Sequence, residues 1–178
     1  MHGPLCLDPF MYINSHRMPN PKFVNLIKKI NWYPPYLGMG IRVTSFRDDF
    51  TRFEVELRAR WYNRNLFGTH FGGSLYAMSD PFFVFIVTMN LGSDYIVWDK
   101  SATIDFLKPA KGTILGIFEI SKSRLEEIRA ESDTLGKSTY HFEAELIDEV
   151  GTVVAHVRKE VYVRSKSSST AASPHGAA

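Results

Sequence analysis

The stretch Asn65-Leu66-Phe67-Gly68-Thr69-His70-Phe71-Gly72-Gly73 opens a long apolar run, from Gly73 to Leu91, in which Asp80 is the lone carboxylate. Burying an unpaired carboxylate in an apolar helix costs several kcal/mol, so Asp80 must be protonated, hydrogen-bonded or lining a cavity. Gly73 and Asp80 stand seven positions apart, which puts them on one helix face with Tyr76 and Ala77 between them. Small side chains on that face let a ligand approach the backbone. The free amides of the helix start, around Gly72 and Gly73, can hold a polarised or anionic oxygen. The chemistry this implies is an oxyanion hole with a base nearby. Seven residues span about 10 Å of helix, too far for one carbonyl to touch both ends. Two such helices lying antiparallel across a two-fold axis would bring donor and base together, so the pattern predicts a dimer with shared sites. Pro81 has no N–H for the Ala77 carbonyl and favours a kink at the acid.

The elements that must position these groups read mostly with period two. Phe53, Val55, Leu57, Ala59 and Trp61 alternate with charged residues and predict a long strand with one buried face. Ile41 to Phe46, Ala102 to Phe106, Ile114 to Ile120, and the pair Tyr140 to Leu146 and Val153 to Val161 supply further strands, the last two joined as a hairpin by Asp148 to Gly151. About six strands result. The run from Gly73 to Leu91 is apolar on nearly every face and predicts a buried core helix. After Pro81 it is too short for a membrane span, which needs roughly 20 residues. Ser123 with Glu126 predicts the cap of a short helix before the hairpin. An α+β fold, a curled sheet wrapped around one long central helix, accommodates all of this.

Before these strands, Phe23, Leu26, Ile27 and Ile30 predict a short amphipathic helix capped by Asn20 and ending before Pro34-Pro35. The expected division is an N-terminal arm with that helix over 1–40, the main domain over 41–164 and a disordered tail over 165–178, rich in Ser and Ala. The chain has 178 residues, 44% hydrophobic and 22% charged, the composition of one globular domain. With 21 basic and 19 acidic residues the net charge is +2, too little for a nucleic-acid partner. The single cysteine, Cys6, excludes an internal disulfide and fits a cytoplasmic location. Neither a membrane partner nor a metal is expected, because His16, His141 and His156 show no ligand spacing.

The spacing Asn65-x-x-Gly68-x-x-Phe71-Gly72-Gly73 followed by Asp80 resembles the signature of hotdog-fold acyl-CoA thioesterases of the phenylacetate (PaaI) type, which carry a histidine at the position of Phe71. The segments Trp32 to Pro35, Asp80-Pro81-Phe82 and Tyr95 through Pro109 resemble, more closely, a bacterial group of hotdog proteins without an assigned function. The resemblance covers roughly residues 30 to 164. It implies a hotdog fold and hydrolysis of an acyl-CoA or related acyl thioester without metal or cofactor, coenzyme A being part of the substrate. It also implies a homodimer, or a dimer of dimers.

By that resemblance Asp80 is the nucleophile or general base, and Asn65 with the Gly72 amide polarises the thioester oxygen from the opposite subunit. Gly68, Phe71, Gly73, Tyr76 and Ala77 would line the substrate site. Asp99 falls where relatives carry a Ser or Thr that orients water. Two nearby carboxylates would repel, raising one of them toward neutrality. Each residue also has a structural reading. Asp80 can be paired as internal support, Asn65 can be a turn residue, the two glycines can serve helix packing, and His70 reads as a surface-loop residue. Lys108, Lys111, Lys122 and Arg124 are candidates to meet coenzyme A phosphates. A non-catalytic acyl-thioester binder is the alternative, favoured by Phe71 and Asp99. A hydratase is weaker, because His70 is out of register for it.

Overall fold

The computed structural model describes residues 21–167. Asn20, Cys6, His16 and the tail from 168 onward, all subjects of expectations above, lie outside the described residues. Among the described residues a single six-stranded antiparallel sheet has the order β1 (Ile41–Phe46), β2 (Arg52–Arg58), β4 (Thr113–Glu119), β5 (Lys137–Asp148), β6 (Val153–Ser165), β3 (Tyr95–Phe106). Alternation builds it as expected: Phe53, Val55 and Leu57 of β2 are buried, while Arg52, Glu54, Glu56 and Arg58 form ion pairs on the opposite face.

The sheet curls around a central helix in two segments, α3 (Gly72–Ser79) and α4 (Phe82–Leu91). Phe82, Phe83, Ile86 and Val87 are fully enclosed. Phe82 stacks on Phe118 of β4 at 5.0 Å and Phe83 on Phe142 of β5 at 5.1 Å, geometries that add to the burial of large rings. The stretch Gly72–Leu91 has the length and composition to cross a membrane, but its buried residues pack into the sheet. It is the core helix, and the architecture is the hotdog fold.

Several local expectations change. The β2 strand stops at Arg58 and leaves Trp61 exposed, because the Asn63 side chain accepts from Arg60 N and donates to the Met39 and Arg58 carbonyls, drawing the chain into a turn. Pro34-Pro35 begins a helix, α2 (Pro34–Met39), where proline at the first positions loses no helical hydrogen bond. Before it come α1 (Pro21–Lys28) and a 3₁₀ turn, Ile30–Trp32. Helix α5 (Lys122–Leu135) is capped by Ser121, not Ser123: the Ser121 hydroxyl accepts from Arg124 N.

The N-terminal helical segment is fastened to the sheet. Asn31 donates to the Val43 carbonyl at 2.9 Å and accepts from its amide at 2.8 Å, covering the outer edge of β1 next to its bulge. The other edge strand, β3, is twelve residues long and pairs along one side with β6.

Candidate active site

Asp80 lies at the break between α3 and α4, outside the helix interior. Its backbone is extended (φ −100°, ψ 130°), and the Asp80–Pro81 bond is cis. Proline disfavours a helical residue before it, and having no N–H it cannot serve the Ala77 carbonyl, which accepts instead from the Asp80 amide at 3.3 Å. The Asp80 carbonyl accepts from the Tyr36 hydroxyl at 2.5 Å. Tyr36 is buried, and that burial, reinforced by the charge of Asp80, raises its phenol well above the ordinary value. It therefore stays a donor.

Beneath the break lies a lysine that the sequence reading passed over. Lys159 is only 2% exposed, and its Nζ donates to Asp80 Oδ1 and to Asp99 Oδ2, each at 2.8 Å. It also sits 5.8 Å from the centre of the Tyr76 ring, within reach of a cation–π contact. Burial alone would lower the lysine, but hydrogen bonds and charges from both carboxylates outweigh it and the ammonium is raised. Asp99 is raised too, chiefly by burial, with Lys159 opposing and Asp80 adding least. The expected repulsion between the two acids is thus a minor cause, because a cation stands between them. Asp99 Oδ1 is buried with no hydrogen-bond partner among the described residues. The signal for Lys159 was in the alternation of β6: it holds the inward position between Val157 and Val161.

The loop before α3 is built by Asn65. Its Oδ1 accepts from the amides of Phe67 and Thr69, and its Nδ2 donates to Thr69 Oγ1 and the His70 carbonyl. Both amide hydrogens are therefore engaged in shaping this loop, with Gly68 at φ +73° closing the turn. His70 is buried, contrary to the surface reading, because its Nε2 bonds the Gly112 carbonyl at 2.8 Å. That partner fixes hydrogen on Nε2 and leaves Nδ1 as a buried acceptor without a donor among the described residues. Burial lowers the imidazole below its ordinary value, keeping it neutral.

Gly72 opens α3 under Phe106, where an added Cβ would lie 3.1 Å from the ring, and the Phe71 ring folds directly over Gly73. The first amides of a helix have no carbonyl a turn earlier to bond. They are the donors available at this end.

Five of the expected site residues fall into two clefts, and Gly68, Phe71, Gly73 and Asp99 line neither. Asp80, Tyr76 and Ala77 line one of about 680 Å³, walled by residues of the N-terminal helical segment. Asn65 and Gly72 line another of about 740 Å³ together with Lys108 and Lys111. One protomer does not bring the two sets into a single cleft. Lys122 and Arg124 lie apart from both clefts, paired with Asp49 and Glu127. Among the described residues no three His, Cys, Asp or Glu side chains converge as metal ligands.

Fold and broken core helix together define a hotdog-fold protein. The chain belongs to the DUF4442 family, a domain of unknown function, whose model matches residues 26–163. Its structure is similar to that of PA5026 from Pseudomonas aeruginosa, described as a protein of unknown function and probable thioesterase (TM-score 0.71, 22% identity, covering 83% of this chain and 98% of that one). It is also similar to the thioesterase HI1161 from Haemophilus influenzae (0.58, 12%, 79% and 89%) and to the E. coli PaaI protein of the phenylacetic acid degradation operon (0.55, 16%, 79% and 92%). No curated protein matches the chain in sequence.

Proposed function

We propose that this protein hydrolyses an acyl thioester, with acyl-CoA as the substrate class, at sites shared between two protomers. The observation that carries the reading is the placement of a half-exposed carboxylate, Asp80, in one cleft and of the Asn65 loop with the Gly72 amide in another. Antiparallel pairing of two core helices would join a cleft of each kind. Among the described residues β3 pairs on one side alone, and that long edge supports such pairing. The thioesterase description of HI1161 supports the chemistry.

In this mechanism Asp80 takes a proton from water as the water oxygen attacks the thioester carbonyl. The developing oxyanion is held by the Gly72 amide of the other protomer, which the Asn65 loop positions. Collapse of the tetrahedral intermediate breaks the C–S bond, and the thiolate recovers a proton, giving free acid and thiol. No metal or cofactor is required. Lys108 and Lys111, on the rim of the Gly72 cleft, are placed to meet the phosphates of coenzyme A. The location we assign is the cytoplasm.

A second reading, a non-catalytic acyl-thioester binder, is favoured by the ion pair that occupies Asp80 Oδ1 and by the Phe71 ring lying over Gly73. The test is release of free coenzyme A from a panel of short, long and aromatic acyl-CoAs by wild type and Asp80→Asn. Hydrolysis predicts turnover that falls about 10²- to 10⁴-fold in the variant, the usual contribution of a positioned base. Thermal protection by an acyl-CoA without turnover would instead establish the binder.

A further inference from the structure

We infer that the cleft above Asp80 is an acyl subsite selective for a long, unsubstituted aliphatic chain; this rests on the thioester reading of Asp80. The inference starts from the wall. Leu26, Trp32 and Tyr33 line the cleft and are 58%, 79% and 52% exposed. The outward face of a short helical segment ordinarily carries polar side chains, and a contiguous apolar patch of this kind marks a binding surface. The same segment is anchored to the core by Ile27, Ile30 and Tyr36, all buried. Asn31 ties it to Val43, and Tyr36 ties it to the Asp80 carbonyl. The wall is therefore a built surface, and its apolar face is turned toward the candidate reacting carboxylate.

The lining also decides the chemistry. Besides Asp80 and Lys29, its polar side-chain groups are the Trp32 indole N–H and tyrosine hydroxyls, and that of Tyr36 is already committed. A ligand segment carrying amides, hydroxyls or phosphates would be desolvated here with few partners, which is costly. A hydrocarbon loses nothing. About 680 Å³ corresponds to some twenty waters at about 30 Å³ each, and a methylene group is of similar size. An acetyl group or a phenylacetyl group fills a minor part of that space, whereas a fatty acyl chain fills most of it.

The experiment is calorimetric titration of the full chain with non-hydrolysable S-alkyl coenzyme A thioethers bearing ethyl, hexyl, dodecyl and phenethyl tails. Affinity is expected to tighten about three- to fourfold per methylene between hexyl and dodecyl, following roughly 0.8 kcal/mol per buried CH₂. Trp32→Ala and Leu26→Ala should each weaken the dodecyl probe about tenfold or more and flatten the series. Val150→Ala, at the exposed β5–β6 turn, controls for nonspecific adsorption. A flat series, a steep one indifferent to Trp32 and Leu26, or conversion of dimer to monomer by Trp32→Ala without loss of dodecyl affinity would overturn the inference. Because binding is read apart from turnover, a steep, Trp32-dependent series in a protein that hydrolyses nothing would sink the hydrolase reading alone. Turnover with a flat series would sink only the acyl subsite.

Discussion

Lys159 Nζ stands 2.8 Å from Asp80 Oδ1, joining residues 79 positions apart at the break in the core helix. The lysine side chain is 1% exposed and the Asp80 side chain 47%, so the cation is fixed beneath a carboxylate that remains open to its cleft. Burying such a cluster gains little stability over apolar side chains of similar volume. Its effect is positional: the ammonium grips one oxygen while the Tyr36 hydroxyl holds the backbone carbonyl. Asp80 is thereby constrained from two sides, which its proposed role as the base for an attacking water requires.

Replacing Lys159 by methionine leaves Asp80 and Asp99 facing each other without a cation. Stability at neutral pH is expected to fall by about 3 kcal/mol or more, the usual cost of breaking a buried pair. The loss should shrink as pH falls and Asp99, raised by burial, takes up a proton. Adding Asp99→Asn to the same chain should recover a large part of it, because the exposed Asp80 can then be hydrated. Urea unfolding at pH 7 and pH 5 checks this. Equal stability of Lys159→Met and wild type at pH 7 would show that the cluster is not energetically coupled.

The shifted groups also set a pH dependence. Burial raises Asp99 above its ordinary 3.8, so just above that value the folded chain binds more protons than the unfolded one and this contribution falls as pH rises. At the alkaline end Lys159 is raised above 10.5 and Tyr36 above 10.0. Their stabilisation is complete below those ordinary values and is lost as pH climbs toward the folded ones. Tyr95, raised to about 12 by burial and by Asp133, loses stability in the same direction. The melting temperature should therefore drop above about pH 10, and Tyr36→Phe should make that drop shallower. An unchanged slope in Tyr36→Phe would remove the phenol from this account.

What could be read in the sequence was whatever rests on local period and backbone chemistry. The alternation of Phe53, Val55 and Leu57 set the buried face of β2, and Pro81 marked the helix break at Asp80. Lys159 occupies an inward register position, yet a lysine ordinarily reads as a wet residue. Its burial is compensated by carboxylates 60 and 79 positions away, which no local window contains. His70 was hidden for the same reason, since its partner is the carbonyl of Gly112 at the entry to β4. Trp61 failed differently: the strand pattern continued through it, but side-chain hydrogen bonds from Asn63 compete with the ladder and end β2 at Arg58.

Gly72 separates a packing effect from a chemical one. An added methyl would meet the Phe106 ring at 3.1 Å, and that ring is 55% exposed, free to swing outward. Gly72→Ala should cost within about 1 kcal/mol of stability, as surface-proximal changes do, while turnover falls because the displaced ring crowds the proposed oxyanion position. Phe106→Ala in the same chain should restore part of the turnover. Chemical unfolding and coenzyme A release on the two variants measure these separately; a loss of stability matching the loss of turnover would mean that the glycine serves packing alone.

Shared sites make a sharper prediction, because two damaged chains can repair each other only if each site draws on both. Asp80→Asn removes the proposed base, and Asn65→Ala removes the side chain whose four hydrogen bonds shape the loop proposed to face it from the other protomer. Each homodimer should be nearly inactive. Refolding an equal mixture gives about half heterodimers, and in each of these one site receives both mutations and the other neither. Activity should therefore return to about a quarter of the wild-type value per chain. If instead each site lay within one protomer, every site in every heterodimer would carry one mutation and mixing would restore nothing. Light scattering on the same mixture, with one chain tagged, confirms that heterodimers formed, so an absence of recovery in their presence would rule out the composite site and leave Asp80 to act within its own cleft.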